Sequence, residues 1–264
     1  MSGFRFIFLF LAASTYFLSI TFAHEASPDK VRPTLLLEKA KDLETKGDYL
    51  RAKEIYKTLL ERQDLGERIS SIRKAYGAVE LKIIFSPLET PDSLFHEVTQ
   101  GDTLHDLAKK YGTTVELLRR SNNLASDGRI YPGMKLKVTK TLFSVIVEKR
   151  RNHLTLLANG RQLKRYRVAT GEKGSTPTGT FKIINKLKNP TWFHAGVVVP
   201  PESPQNILGS RWLGFDHPGY GIHGTTLPRT IGTQSSKGCI RMLNSDVEEI
   251  YDLIPIGTYV TVKE

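Results

Sequence analysis

Cysteine is almost absent from this chain: Cys239 is the single copy among 264 residues. One thiol cannot close an intrachain disulfide, so the fold must hold by burial and hydrogen bonding alone. A lone cysteine in an exported protein is a reactive thiol or an intermolecular partner, and otherwise packs as a small inert hydrophobe. Other absences narrow the reading further. No set of His, Cys and acidic residues has metal-ligand spacing and no glycine-rich phosphate loop occurs, so neither a metal nor a cofactor is expected. Beyond the first 23 residues no segment is long and apolar enough to span a membrane. Acidic side chains are in deficit, 27 against 38 Lys and Arg, for a net charge of +11. The basic residues are scattered and not interleaved with aromatics, so no nucleic acid is expected. Two readings of the charge stand: a solvated basic surface, or one that meets anionic polymers and head groups.

What is present divides into several segments. With 39% hydrophobic and 25% charged residues the chain is globular rather than disordered. Residues 1–23 carry one charge, Arg5, then an apolar run from Phe6, and end Thr21-Phe22-Ala23, the order of a secretory signal peptide cleaved after Ala23. The 18 residues from Phe6 to Ala23 are also long enough for an uncleaved anchor. Either way the protein is expected outside the cytoplasm, periplasmic or wall-associated.

Residues 33–85 read as helical. Leu36, Ala40, Leu43 and then Ala52, Ile55, Tyr56 and Leu59 recur at helical spacing around a turn, Lys46-Gly47-Asp48-Tyr49. A third helix follows from Ile69 and ends before Pro87. Ala40, Gly47, Tyr49, Ala52 and Tyr56 resemble one tetratricopeptide repeat. A single helix pair buries little, so this segment either meets a protein partner or spaces the domains. Residues 86–93, with Pro87 and Pro91, are a linker.

Residues 94–138 read as strand, helix, helix, strand. Val98, Gly101-Asp102-Thr103-Leu104, Ala108, Tyr111, Leu117, Asn122-Asn123 and Ile130-Tyr131-Pro132-Gly133-Met134-Lys135-Leu136 carry a resemblance to the lysin-motif (LysM) domain over its whole length. That resemblance implies binding of N-acetylglucosamine in peptidoglycan through two loops, here Gly101, Asp102, Thr103, Leu104 and Ile130, Tyr131, Pro132. The same residues also have turn-forming duties.

From residue 142 to 262 strand signals dominate: Phe143–Glu148, Leu154–Leu157, an Asn159-Gly160 hairpin turn, Lys164–Thr170, Gly179–Ile184 and Gly257–Val262. One helix, Asp246 to Leu253, interrupts them, with Ser245 and Glu248 at capping-box spacing. The expected architecture is thus multidomain: a short α-helical hairpin segment, a small βααβ domain, and a mainly-β C-terminal domain with one packed helix.

The chemistry concentrates in that last domain. Cys239 lies in Ser235-Ser236-Lys237-Gly238-Cys239-Ile240-Arg241, sixteen residues after His223 in Gly221-Ile222-His223-Gly224-Thr225. A thiol needs a base to take its proton, and the nearby cations Lys237 and Arg241 are expected to lower its pKa. Together with Thr176-Pro177-Thr178-Gly179-Thr180-Phe181 and Leu208-Gly209-Ser210-Arg211-Trp212-Leu213-Gly214, these motifs resemble the catalytic domain of L,D-transpeptidases across residues 142–262. The resemblance implies an acyltransferase that acts on peptidoglycan stem peptides: Cys239 the nucleophile, His223 the proton donor and acceptor, the Gly224 carbonyl orienting the imidazole. Gly238 and Cys239 amides are expected to face the oxyanion. Arg241 is a carboxylate-binding or thiolate-stabilising residue, or else a structural ion pair. Ser236 donates to substrate or makes the turn. Lys237 stands where the family often has histidine, and Tyr220 and Trp212 line the cleft or fill the core. His217 reads as a loop residue, and His194 lies beside Trp192 and Phe193 without a recognisable partner. Hydrolysis by the same thioester, as an L,D-carboxypeptidase or endopeptidase, and a non-catalytic wall-binding scaffold are the alternatives. A papain-like protease fails on order, since there Cys precedes His.

Overall fold

The structure, a computed structural model, describes residues 32–194 and 196–264. The signal or anchor segment expected at 1–23 lies outside the described residues. The helical segment comprises α1 (Pro33–Thr45), α2 (Tyr49–Leu60) and α3 (Arg68–Ile84). Gly47, at φ +77°, ends the first helix in the left-handed conformation that only glycine adopts cheaply. One residue on, the Asp48 carboxylate accepts the Arg51 N–H and starts the second. Fully buried Ala40 and Ala52 let the helices approach closely around Tyr56, Leu59, Ile72 and Val79.

The segment then finds its cover within the chain. On α3, Leu81 and Ile84 join the core of the C-terminal domain. Gly77 presses that helix onto backbone: a Cβ there would sit 1.8 Å from the Leu163 carbonyl oxygen. The exposed carbonyls at the end of α3 are met by a buried ammonium, Lys137 Nζ, which donates to Ile83 O at 2.9 Å and Ser86 O at 2.8 Å. Burial pushes the pKa of that amine down to about 8.

Lys137 belongs to the second unit, where β1 (Ser93–Glu97) pairs antiparallel with β2 (Lys135–Thr139) and two helices lie between them, α4 (Leu104–Tyr111) and α5 (Val115–Ser121). Both helices start on a threonine: Thr103 accepts the Asp106 N–H and Thr114 the Leu117 N–H. This is the βααβ order read from the sequence.

The C-terminal domain continues with β3 (Phe143–Glu148), β4 (His153–Ala158), β5 (Arg161–Arg167), β6 (Thr170–Gly171), β7 (Gly179–Lys188), β8 (Trp192–His194), β9 (Val197–Val199), β10 (Arg211–Phe215), β11 (Gly221–His223), β12 (Gln234–Ser236), β13 (Ile240–Arg241), α6 (Asn244–Leu253) and β14 (Tyr259–Lys263). Asn159 and Gly160, both at positive φ, make the tight turn between β4 and β5. Eight strands form one sheet in the order β13-β11-β10-β7-β14-β3-β4-β5. Its two ends meet: just past β5, Ala169 bridges to Arg241 of β13. The sheet therefore curls shut around Leu154, Leu156, Ile183, Leu213, Ile222, Ile240 and Val260. Against it packs α6 through Val247, Ile250 and Leu253.

Two details differ from the sequence reading. The expected capping box does not form, because α6 begins at Asn244 behind Leu243, with no side-chain cap. The strand expected over 179–184 runs on to Lys188, extended by pairing with β10.

The βααβ unit is docked on the C-terminal domain at Asp252 of α6. Thr114 Oγ1 donates to the Asp252 carbonyl, and Arg120 Nη1 lies 2.8 Å from its carboxylate. Glu116 pairs with Lys188, and Leu117 enters the larger core.

Replacing glycine with alanine inside a helix usually stabilises by about 1 kcal/mol. Gly77→Ala is expected to do the reverse, costing about 1–3 kcal/mol, because the added methyl overlaps rigid backbone. Urea denaturation of both proteins measures the sign directly.

Candidate active site

The reactive residues meet at the seam where the sheet closes. β11 and β13 run parallel with Ile222 opposite Ile240 and His223 opposite Arg241. Side chains alternate along a strand, so the two isoleucines point into the core, both fully buried. His223 and Arg241 share the other face. Cys239 directly precedes β13 and lines a cleft with Trp212, whose ring stacks on the imidazole.

His223 is 2% exposed, and its Nδ1 lies 2.7 Å from the Gly224 carbonyl oxygen. A carbonyl only accepts, so Nδ1 carries the proton and Nε2 keeps its lone pair. Burial pushes the imidazole pKa down to about 4; the Gly224 bond opposes this, and the Arg241 charge adds to it. At neutral pH the ring is an uncharged base.

Cys239 is half-buried, its Sγ–H directed at the Gly219 carbonyl at 3.4 Å. Here the sequence expectation is overturned. Burial raises the thiol pKa and outweighs the Gly221 amide and the Arg241 guanidinium, which pull it down. Burial thus favours the neutral form of both groups.

The turn before the nucleophile is held by Ser236. Its hydroxyl donates to the Cys239 carbonyl at 2.6 Å and accepts the Gly238 N–H at 3.1 Å. Ser236, 2% exposed, therefore makes the turn. The same bond occupies the Gly238 amide, one of the two groups expected to face the oxyanion. Gly238 sits at φ +122°, and a Cβ would lie 2.7 Å from the Tyr220 ring. From the other side Thr176 Oγ1 accepts the Gly171 N–H at 2.7 Å, and Gly171 lies against Gly238.

Arg241 is 5% exposed; its Nη1 donates to Thr230 Oγ1 at 3.0 Å, and its buried Nε has no partner. No ion pair among the described residues involves it, so the structural ion-pair reading falls. Trp212 lies over the imidazole, ring centroids 6.1 Å apart, and donates Nε1–H to Asn185 at 2.9 Å. It lines a cleft of about 300 Å³ with Cys239, Gly219, Leu187, Trp192 and Leu208. Tyr220 packs on the core, against His217 and Gly238, and Lys237 is exposed on the turn. The sequence reading missed Leu187, Trp192 and Asn185. Only the adjacent Trp192-Phe193 pair beside Pro190 hinted at a cleft wall.

In the βααβ unit the two expected loops do adjoin: Val98 exchanges backbone hydrogen bonds with Gly133 and Met134, and Gly128 touches Leu104. Their residues differ in freedom. Asp102 accepts from the Thr99 N–H and hydroxyl and from His96, bonds that hold its carboxyl down at about pH 2. Thr103 caps α4 and Leu104 is buried. Gly101, Tyr131 and Pro132 are exposed, whereas Ile130 packs partly into the small core.

Comparison with known proteins agrees with this geometry. The L,D-transpeptidase catalytic domain matches residues 143–262, and the LysM domain matches residues 96–139. "Putative L,D-transpeptidase YkuD" of Bacillus subtilis is 36% identical over 64% of this chain and 98% of its own length. "Putative L,D-transpeptidase YqjB" of the same organism is 40% identical over 46% of this chain and 70% of its own. A crystal structure of an L,D-transpeptidase from Mycobacterium tuberculosis covers 50% of this chain and 63% of that one, at 17% identity and a TM-score of 0.42. The chain belongs to the L,D-transpeptidase family and carries a LysM domain ahead of the catalytic one.

The buried neutral histidine has a consequence for stability. Its folded pKa of about 4 lies below the about 6.5 of an unfolded histidine, so the unfolded chain binds more protons between those values. The contribution of His223 is complete above pH about 6.5 and is lost as pH falls toward about 4. Chemical denaturation across that range should show stability falling with pH, and His223→Gln should flatten this part of the curve.

Proposed function

We propose that this protein is a peptidoglycan L,D-transpeptidase working through a Cys239 thioester. The observation that carries the reading is the tautomer of His223: Nδ1–H bound to the Gly224 carbonyl leaves Nε2 the lone pair of a neutral base, on a ring stacked against Trp212, which lines the cleft with Cys239. The donor is the L,D-peptide bond of a stem tetrapeptide. As Sγ attacks its carbonyl carbon, Nε2 takes the thiol proton, and the carbonyl oxygen becomes an oxyanion facing the Cys239 N–H. The carbon–nitrogen bond then breaks, and the imidazolium gives its proton to the departing D-alanine amine. An acceptor amine attacks the thioester, His223 removes its proton, and the thiol is regenerated with that proton. No net charge or redox change occurs.

A neutral resting pair suits this cycle. The thiolate is generated only with substrate in place, when the apolar cleft is closed to water and the Arg241 guanidinium beside the sulfur stabilises the charge. Arg241 is buried, which favours this role over capture of a substrate carboxylate from solvent. Water in place of the amine would make the same enzyme an L,D-carboxypeptidase or endopeptidase. The LysM loops, with Gly101, Tyr131 and Pro132 outward, are assigned to N-acetylglucosamine of the glycan strands. Both activities place the protein in the periplasm or wall. Among the described residues no helix is long and apolar enough to cross a membrane.

Intact-mass spectrometry of residues 24–264 with a carbapenem, whose carbonyl acylates an activated thiol, tests the mechanism. One covalent adduct is expected on the wild type and none on Cys239→Ala. An unmodified wild type whose thiol still reacts with iodoacetamide would leave the wall-binding scaffold as the better account. Product analysis with purified tetrapeptide muropeptides separates cross-links from trimmed peptides, and cross-links are expected. Tyr131→Ala should weaken cosedimentation with insoluble peptidoglycan several-fold while carbapenem acylation stays unchanged.

A further inference from the structure

Histidine bonding to the carbonyl of its own next residue is a weak device unless something fixes that carbonyl. The Gly224 C=O and the Thr225 N–H belong to one planar peptide group and point opposite ways. The carbonyl end accepts from His223 Nδ1 at 2.7 Å, and the N–H end donates to Asn244 Oδ1 at 2.9 Å. The same Oδ1 accepts the Ser210 N–H at 3.2 Å. Two N–H donors on one atom identify that atom as the amide oxygen. Glycines make the approach possible: a Cβ on Gly224 or on Gly209 would lie 2.2 or 2.3 Å from Asn244 Oδ1. Gly224 N–H is held in turn by the Arg211 carbonyl at 3.1 Å.

We infer that Asn244 is a positioning residue of the catalytic histidine, acting through the Gly224–Thr225 peptide group it clamps. Its oxygen sets the rotation of that peptide plane and so aims the carbonyl at Nδ1, which keeps Nε2 turned toward the nucleophile. Accepting the N–H also polarises the amide, making its carbonyl a better acceptor for the ring. Asn244 lies five residues past Cys239, at the first position of α6, so it ties the nucleophile's own segment to the base. It is solvent-exposed, where a side chain with no such duty would be freely replaceable. The inference rests on the catalytic reading of Cys239 and His223.

Three variants test it in the full chain, each checked for folding by thermal denaturation. Asn244→Leu keeps the volume without the acceptor, Asn244→Ala removes both, and Asn244→Asp keeps an acceptor oxygen for both N–H groups. Carbapenem acylation at pH 7 should slow about 10- to 100-fold in the Leu and Ala variants, the usual loss when a supporting hydrogen bond to an active-site histidine is removed. The Asp variant should recover most of the rate. Its added negative charge near the imidazole should also move the acid limb of the rate–pH profile to higher pH, and recovery by Asp but not by Leu at equal folded fraction is the result that a purely structural residue would not produce. A Leu variant as fast as wild type overturns the inference, as does an equal loss in Leu and Asp at equal folded fraction. A wild type that carbapenem does not modify overturns the catalytic reading and this one with it, whereas normal wild-type acylation with an indifferent Leu variant overturns this one alone.

Discussion

The backbone pair between Ala169 and Arg241 decides where everything else in the C-terminal domain can lie. Ala169 N–H donates to the Arg241 carbonyl at 2.8 Å, and Arg241 N–H returns the bond at 2.9 Å. Without it the eight-stranded sheet would have two free edges, one of them β13, a two-residue strand held only by β11. So short a strand makes few ladder bonds of its own, and closure gives it a partner on each side. Cys239 precedes this strand directly. The position of Cys239 is therefore set by sheet closure, and its partner's position by the register of β11 against β13.

Closure also explains the electrostatics. A seam between two strand ends is dry, and desolvation dominates both titrating groups: the imidazole is pushed down and the thiol up. Among the described residues Arg241 is the charge that acts on both groups, and it acts in opposite directions on them. It disfavours imidazolium and favours thiolate. In the resting site burial exceeds that influence, so the proton stays on sulfur. Cation count along the sequence suggested the opposite, because Lys237 and Arg241 flank the cysteine. Proximity in sequence does not report how much water is left around a group, and Lys237 turns outward.

This contrast marks the limit of what the residues could reveal in order. Local chemistry was readable: Lys46-Gly47-Asp48-Tyr49 turns between two helices, and Asn159-Gly160 turns a hairpin. In each case the side chain acts within a few residues of itself or in a motif with a recognisable spacing. The misses all depend on distant partners. Ser245 and Glu248 had the spacing of a cap, yet α6 starts earlier, where Asn244 engages Ser210 and Thr225 from other loops. The docking of α3 through Gly77 on Leu163 has no signature in a helix that reads as ordinary and amphipathic. Leu187 lines the cleft because β7 continues past the point where its own pattern fades, and Trp192 joins it from β8.

The helix α6 connects these levels. Ten residues of helix span roughly 15 Å. Its first residue clamps the peptide group behind His223, its buried face fills the closed sheet through Val247, Ile250 and Leu253, and its last turn presents Asp252 to Thr114 and Arg120 of the LysM domain. An exposed ion pair alone would hold a domain poorly. Here the Asp252 carboxylate and carbonyl are both engaged, while Leu117 enters the larger core beside them. The Arg120 guanidinium, its carbon 3.5 Å from the ring centroid of Phe85, carries the contact on to the end of α3. One helix thus refers the active-site histidine, the catalytic core and the LysM domain to a common frame. Under the proposed function, a glycan strand on the LysM loops would meet a cleft whose placement is already decided, and the entropy of orienting the domains would not be charged to substrate binding.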